Sequence, residues 1–88
     1  MQFNTGGVVD EVVREILARH GRISVPIADV DGGADLFALG LTSHAAVNVM
    51  LAIEDRLAIE FPDELMSKAV FASVDSLVGA VRSLAGDA

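Results

Sequence analysis

With 88 residues and a net charge of −7 at pH 7, the chain is sized for one domain, residues 1–88, near the lower limit at which a core holds without staples. It contains no cysteine, which excludes disulfides and thiolate metal sites and makes a reducing compartment, the cytoplasm, the expected location. The charge has the wrong sign for neutralising phosphates, and with no Trp or Tyr there is little to stack on bases, so no nucleic-acid partner is expected.

The first residues, MQFNTGG, lack both a basic region and an apolar run, so no signal peptide is expected. Residues 8–19 read as a helix: Val9, Val12, Val13, Ile16 and Leu17 share a face, while Asp10, Glu11, Arg14 and Glu15 are expected to face water. His20-Gly21 ends it with a cation near the last carbonyls and then glycine. Residues 21–42 form a connection longer than the usual ~2–8 residues between helices, and such ordered loops commonly carry function. Ile23, Val25, Ile27, Val30, Leu36, Phe37, Leu39 and Leu41 are expected to pack this loop across the helices.

A second helix is predicted from Ser43 to about Leu57, with Ala46, Val47, Met50, Ile53 and Leu57 on one side and His44, Ala45, Asn48, Ala52 and Asp55 opposite. Glu54 lies on the apolar side, where a hydrogen bond at the rim or helix-end packing is expected. Pro62 breaks the pattern and suits the first turn of a short third helix, with Asp63 and Glu64 at its positive end. Ser73 is a good N-cap for a last helix whose Val74, Leu77, Val78, Val81 and Leu84 share a face. Val47, Met50, Ile53, Leu57, Val78 and Val81 are the expected core. The fold class is all-α: three main helices plus a short third one, with a core over about residues 8–84 and flexible ends. The most apolar stretch, Leu39 to Ile53, is interrupted by Thr42, Ser43, His44 and Asn48. It is too short and polar to span a bilayer, and no membrane association is expected.

The acids are clustered. Asp29, Asp31, Asp35, Glu54, Asp55, Glu60, Asp63 and Glu64 face a single base, Arg56, within residues 29–64, while the rest of the chain is neutral overall. Such a field favours basic protein partners. Asp29 to Asp35 does not make a calcium loop, because Gly33, Ala34 and Gly40 occupy positions where ligands or the obligatory glycine belong. Ser43 and His44, adjacent on a helix, point about 100° apart and cannot form a nucleophile–base pair. His20 and His44 are not spaced as helical metal ligands, and Gly32-Gly33 lacks the rest of a phosphate loop. What remains is Gly40-Leu41-Thr42-Ser43 at a helix start. Thr42 or Ser43 could be a plain N-cap. Alternatively the Ser43 hydroxyl could hold a phosphodiester, which unpaired N–H groups and the positive dipole end would suit.

Asp35-Leu36-Phe37-Ala38-Leu39-Gly40-Leu41-Thr42-Ser43 resembles the D-x-F-x-x-x-G-x-[DH]-S segment of acyl and peptidyl carrier proteins. Val47, Ile53-Glu54, Ile59-Glu60-Phe61-Pro62-Asp63-Glu64 and Phe71-Ala72-Ser73-Val74 continue the likeness without a gap from Ser43 to Glu64. The resemblance implies a four-helix acyl-carrier-protein-like bundle with a long first loop and no catalysis of its own. It implies 4'-phosphopantetheine, derived from coenzyme A and attached to Ser43 by a phosphopantetheinyl transferase, with Thr42 and His44 flanking. A ligase would load the arm, a downstream acyl- or aminoacyl-using enzyme would unload it, and the carrier would act as a monomer. The expected partner surface is Asp29, Asp31, Asp35, Leu41, Ala45, Asn48, Glu60, Asp63 and Glu64.

Thr42 stands where fatty-acid carriers have Asp, His44 where they have Leu, and the outer face of helix two is nearly neutral. The chain is therefore most similar to small stand-alone bacterial aminoacyl carrier proteins, whose cargo is a small amino acid supplied by a ligase resembling seryl-tRNA synthetase. A carrier of fatty or other organic acids is the alternative, and an unmodified helical interaction module the remoter one.

Overall fold

Apolar residues recurring at helical spacing give each long helix one face that water disfavours, and the fold is the arrangement that hides these faces together. The computed structural model describes residues 5–85; the expected flexible ends and most of the N-terminal segment MQFNTGG lie outside the described residues. Four helices run in order, α1 Thr5–His20, α2 Ser43–Leu57, α3 Lys68–Phe71 and α4 Val74–Leu84, with no strand among the described residues. The α1 helix packs against both α2 and α4. Val13 and Leu17 of α1, Val49 and Ile53 of α2, and Val74, Leu77 and Val81 of α4 are fully buried, and Leu36 of the long loop joins them. No helix among the described residues is long and apolar enough to cross a membrane.

The long loop is tied down at several points. Arg14, expected to face water, instead folds over the loop: its Nη1 donates to the Ile27 and Val30 carbonyls at 2.9 Å each, while Nε pairs with Asp10 at 3.0 Å. Those carbonyls border the 3₁₀ turn Ile27–Asp29 and lack a full helical partner set. Further along, the Leu36 N–H donates to the Ala72 carbonyl at 2.7 Å and the Asp75 N–H to the Gly32 carbonyl at 2.9 Å. The loop thus spans from α1 to the junction of α3 and α4.

Helix ends follow local chemistry with two surprises. At the end of α1 the Gly21 N–H donates to Leu17 O at 2.8 Å. A Cβ on Gly21 would sit 2.7 Å from that oxygen, so glycine is needed for close approach, whereas the positive φ of 55° falls on Arg22. The expected short helix at Pro62 is displaced. Pro62 is extended, Asp63–Leu65 forms only a 3₁₀ turn, and α3 begins at Lys68. Proline offers no side-chain acceptor, whereas the Ser67 hydroxyl accepts from the Val70 N–H and caps the helix there. Ser73 caps α4 as expected, in a capping box with Ser76.

At the end of α2, Glu54 bridges helix and turn. Its Oε2 accepts from the Phe61 N–H at 2.7 Å, and its backbone carbonyl accepts from Ala58 and Ile59. Phe61 then stacks on Phe71 with ring centroids 5.9 Å apart. Arg56 pairs with Glu15 across α1 and α2 at 2.6 Å, both side chains about half exposed. The hydrogen bond from Arg56 holds the Glu15 carboxyl below its ordinary 4.5. The small, solvent-screened contribution of the pair is therefore present above that value and lost as pH falls through the lowered one.

Ala58 closes α2 in the left-handed region at φ 54°, ψ 45°. That conformation costs an L-residue roughly 1–2 kcal/mol, part of which glycine would return through its greater freedom in the unfolded chain. Ala58→Gly is expected to raise stability by about 0.5–1 kcal/mol. Urea midpoints at equal slope measure the change, and a lower midpoint would show that Ala58 has packing value here.

Candidate functional site

The segment before α2 is a tight ladder of turns. Asp35 starts it by accepting the Phe37 and Ala38 N–H groups on Oδ1, at 3.0 and 3.4 Å. Leu39 and Leu41 both donate to the Leu36 carbonyl, and Gly40 donates to Phe37. Gly40 takes φ 115°, outside what side-chain-bearing residues tolerate. This sharp corner drives Leu41 into the core and points the chain into α2 at Thr42.

Thr42 is the N-cap: its backbone is extended and its Oγ1 accepts from the Ala45 N–H at 3.0 Å. Ser43 is the first helical residue, exposed, and its hydroxyl makes no hydrogen bond among the described residues. Of the two hydroxyls that could have capped α2, one is committed and the other is free. His44 follows it on the surface. Beside Ser43 lies a groove of about 450 Å3, walled by Ser43, Val47 and Met50 of α2 and by Met66, Lys68 and Phe71 opposite.

Part of the expected partner surface stands exposed: Asp29, Asp31, Asp35, Asn48, Glu60, Asp63 and Glu64. Asp31 and Asp35 also hold their own turns, Asp31 Oδ2 accepting from Gly33 N–H at 3.0 Å. Two members do not belong to it. Leu41 is 4% exposed and Ala45 2% exposed, both in the core. Conversely Val47, expected inside, is 47% exposed, while Leu57 and Val78 are half-buried. The buried row of α2 is Ala45, Ala46, Val49, Met50 and Ile53, rotated from the expected face by roughly half of the 100° step between successive residues. That rotation leaves Val47 and Leu51 exposed one turn apart, on the side that begins with Ser43. The four-residue spacing of 43, 47 and 51 was visible in the sequence. Val47 on it is assigned to the core from the sequence because burial is the default for a large apolar residue, and Leu51 is assigned to neither face.

The start of α2 thus presents a free, exposed serine hydroxyl next to an open groove, reached through a rigid turn, on a small helical bundle. The residues fit a phosphodiester-linked arm: nothing competes for Oγ, and the groove offers an apolar wall beside it. A family model described as "Phosphopantetheine attachment site" matches residues 11–81. The chain belongs to that phosphopantetheine-binding carrier family, whose members bear a covalently attached 4'-phosphopantetheine. It is 40% identical over 74 residues to an aminoacyl carrier protein of Agrobacterium fabrum, covering 84% of this chain and 89% of that one.

Among solved structures it is similar to a carrier protein from Agrobacterium tumefaciens complexed with an engineered Bradyrhizobium japonicum glycine:[carrier protein] ligase. With AMP bound, that complex gives a TM-score of 0.80 at 41% identity, over 83% of this chain and 97% of that chain. With ATP the TM-score is 0.81 at 40% identity, over 85% and 97%. The expected four-helix carrier fold agrees with these neighbours.

Proposed function

We propose that this chain is an aminoacyl carrier whose arm is attached at Ser43. The observation that carries the assignment is the division of labour at the start of α2: Thr42 caps the helix, leaving the Ser43 hydroxyl unclaimed at the mouth of the groove. Attachment would join Ser43 Oγ to phosphorus and break the phosphoanhydride of coenzyme A. Adenosine 3',5'-bisphosphate leaves, and the hydroxyl proton passes to the phosphopantetheinyl transferase. The arm supplies a terminal thiol that holds the cargo as a thioester. The chain itself performs no chemistry; it anchors the arm and offers surface to its partners.

The cargo is a small amino acid, by analogy with the glycine:[carrier protein] ligase bound to the similar carrier, and an ATP-dependent amino-acid ligase loads it. A short aminoacyl group has little apolar surface and a charged amine, so it gains nothing from the core and stays outside for partners to read. The partner surface we assign comprises Asp29, Asp31, Asp35, Asn48, Glu60, Asp63 and Glu64, together with exposed Val47 and Leu51. The second reading, a fatty or other organic acid, draws on the apolar groove walls at Val47, Met50 and Phe71.

The test is intact mass. Apo protein is incubated with a transferase and coenzyme A. It is then offered, in parallel, amino acids with a ligase and ATP, or long-chain acyl donors with an acyl transferase. Gain of the prosthetic mass followed by an aminoacyl mass is expected. An acyl mass alone would move the cargo to the second reading, and no prosthetic mass would return the chain to an unmodified interaction module.

A further inference from the structure

The groove beside Ser43 contains one charged lining residue, Lys68. Ser67 caps the short α3 and sets Lys68 as its first residue, on the wall opposite α2. Its ammonium lies 5.2 Å above the centre of the Phe37 ring, and Phe37 belongs to the turn ladder that leads into Ser43. Lys68 is exposed and forms no ion pair among the described residues. Arg56, at the far end of α2, is paired with Glu15. Eight acids lie in residues 29–64, so an anion attached at Ser43 enters a field that repels it.

We propose that Lys68 is the positioning residue for the arm: its ammonium takes the phosphodiester on Ser43 as its partner and lays the arm's first segment along the groove between α2 and α3. The inference rests on the assignment of the arm to Ser43. Three features support it. Lys68 and Ser43 line one groove, and the flexible four-carbon stem lets the ammonium swing within it while the backbone stays in place. The ammonium is uncommitted to any carboxylate, and a charge-assisted bond to phosphate is stronger than a contact with an exposed ring face. The ring beneath it narrows where the stem can point before the arm arrives, which lowers the ordering needed on contact.

The experiment uses the full chain in apo and phosphopantetheinylated forms, made as wild type, Lys68→Gln and Lys68→Arg, each verified by mass. The ³¹P resonance of the phosphodiester and the Lys68 side-chain ammonium ¹⁵N resonance are recorded at low and high salt. In the wild type, attachment is expected to shift the Lys68 ammonium signal. Lys68→Gln is expected to move the ³¹P resonance toward that of the same phosphodiester in the urea-unfolded modified chain, and Lys68→Arg to restore it. Added salt should move the wild-type resonance the same way and leave Lys68→Gln unmoved. Because the ammonium signal is read in the unsubstituted protein, a folding defect in a variant cannot mask the result. If the arm attaches but neither resonance responds to the other group, the inference is wrong while the carrier reading stands. If no arm attaches to the wild type, both fall.

Discussion

Ser43→Ala is expected to abolish attachment of the arm completely while leaving the fold intact. The separation follows from the two hydroxyls at the start of α2. Thr42 keeps its bond to the Ala45 N–H whether or not Ser43 is present, and alanine at the first helical position is a good helix former. The stability change should therefore stay within about 0.5 kcal/mol, as for most exposed substitutions. The mirror variant, Thr42→Ala, should lose about 1 kcal/mol with the cap yet still accept the arm.

No other serine in the neighbourhood can substitute. The Ser24 hydroxyl donates to Leu39 O at 2.9 Å, that of Ser67 caps α3, and those of Ser73 and Ser76 lock each other at the start of α4. Intact mass after incubation with transferase and coenzyme A, alongside urea unfolding of both variants, measures this. Prosthetic mass on Ser43→Ala would show the wrong serine had been chosen.

Leu36→Ala carries the largest expected cost in stability. Leu36 is fully buried, lies in the loop, and touches the bundle through more than its side chain. Its N–H reaches Ala72 O at 2.7 Å, and its carbonyl receives both Leu39 and Leu41. Cutting the side chain back to a methyl group leaves a cavity where the loop joins the core. Such truncations cost about 3–5 kcal/mol where the surroundings cannot collapse. Against a total of roughly 5–15 kcal/mol for a typical domain, that leaves little. The urea midpoint should fall steeply, and the turn ladder at Asp35–Leu41 should lose amide protection before the helices do. A loss below about 1 kcal/mol would mean the site closes over the gap and the loop is less rigid than its hydrogen bonds imply.

The sequence made the helices legible because their apolar residues repeat at a period no other element shares. Ser73 was legible as a cap because its chemistry is local. What escaped was whatever depended on a partner far along the chain. Arg14 looks like a surface cation until the loop brings two carbonyls under it, thirteen and sixteen residues away. The face of α2 was misplaced because Ala45 counts little on a wheel, yet against close neighbours a small residue is buried as readily as a large one. Helix α3 was placed too early because Pro62 fits a first turn locally, while Ser67 holds the stronger cap five residues later. Ser43 is singled out by its place at a helix start and by the resemblance of the segment before it to carrier proteins. That its hydroxyl is free, and that Thr42 is what frees it, needed coordinates.

Because the cap and the proposed attachment point are separate atoms, the helix start of the apo chain does not wait for the arm to be built. Surveillance by proteases and chaperones acts on the fraction of molecules that open, and in the apo chain Thr42 already closes the first turn of α2 against opening. On the assignment of the arm to Ser43, a chain waiting for its prosthetic group is a folded reserve, and the share of it in service is set by the supply of coenzyme A and transferase.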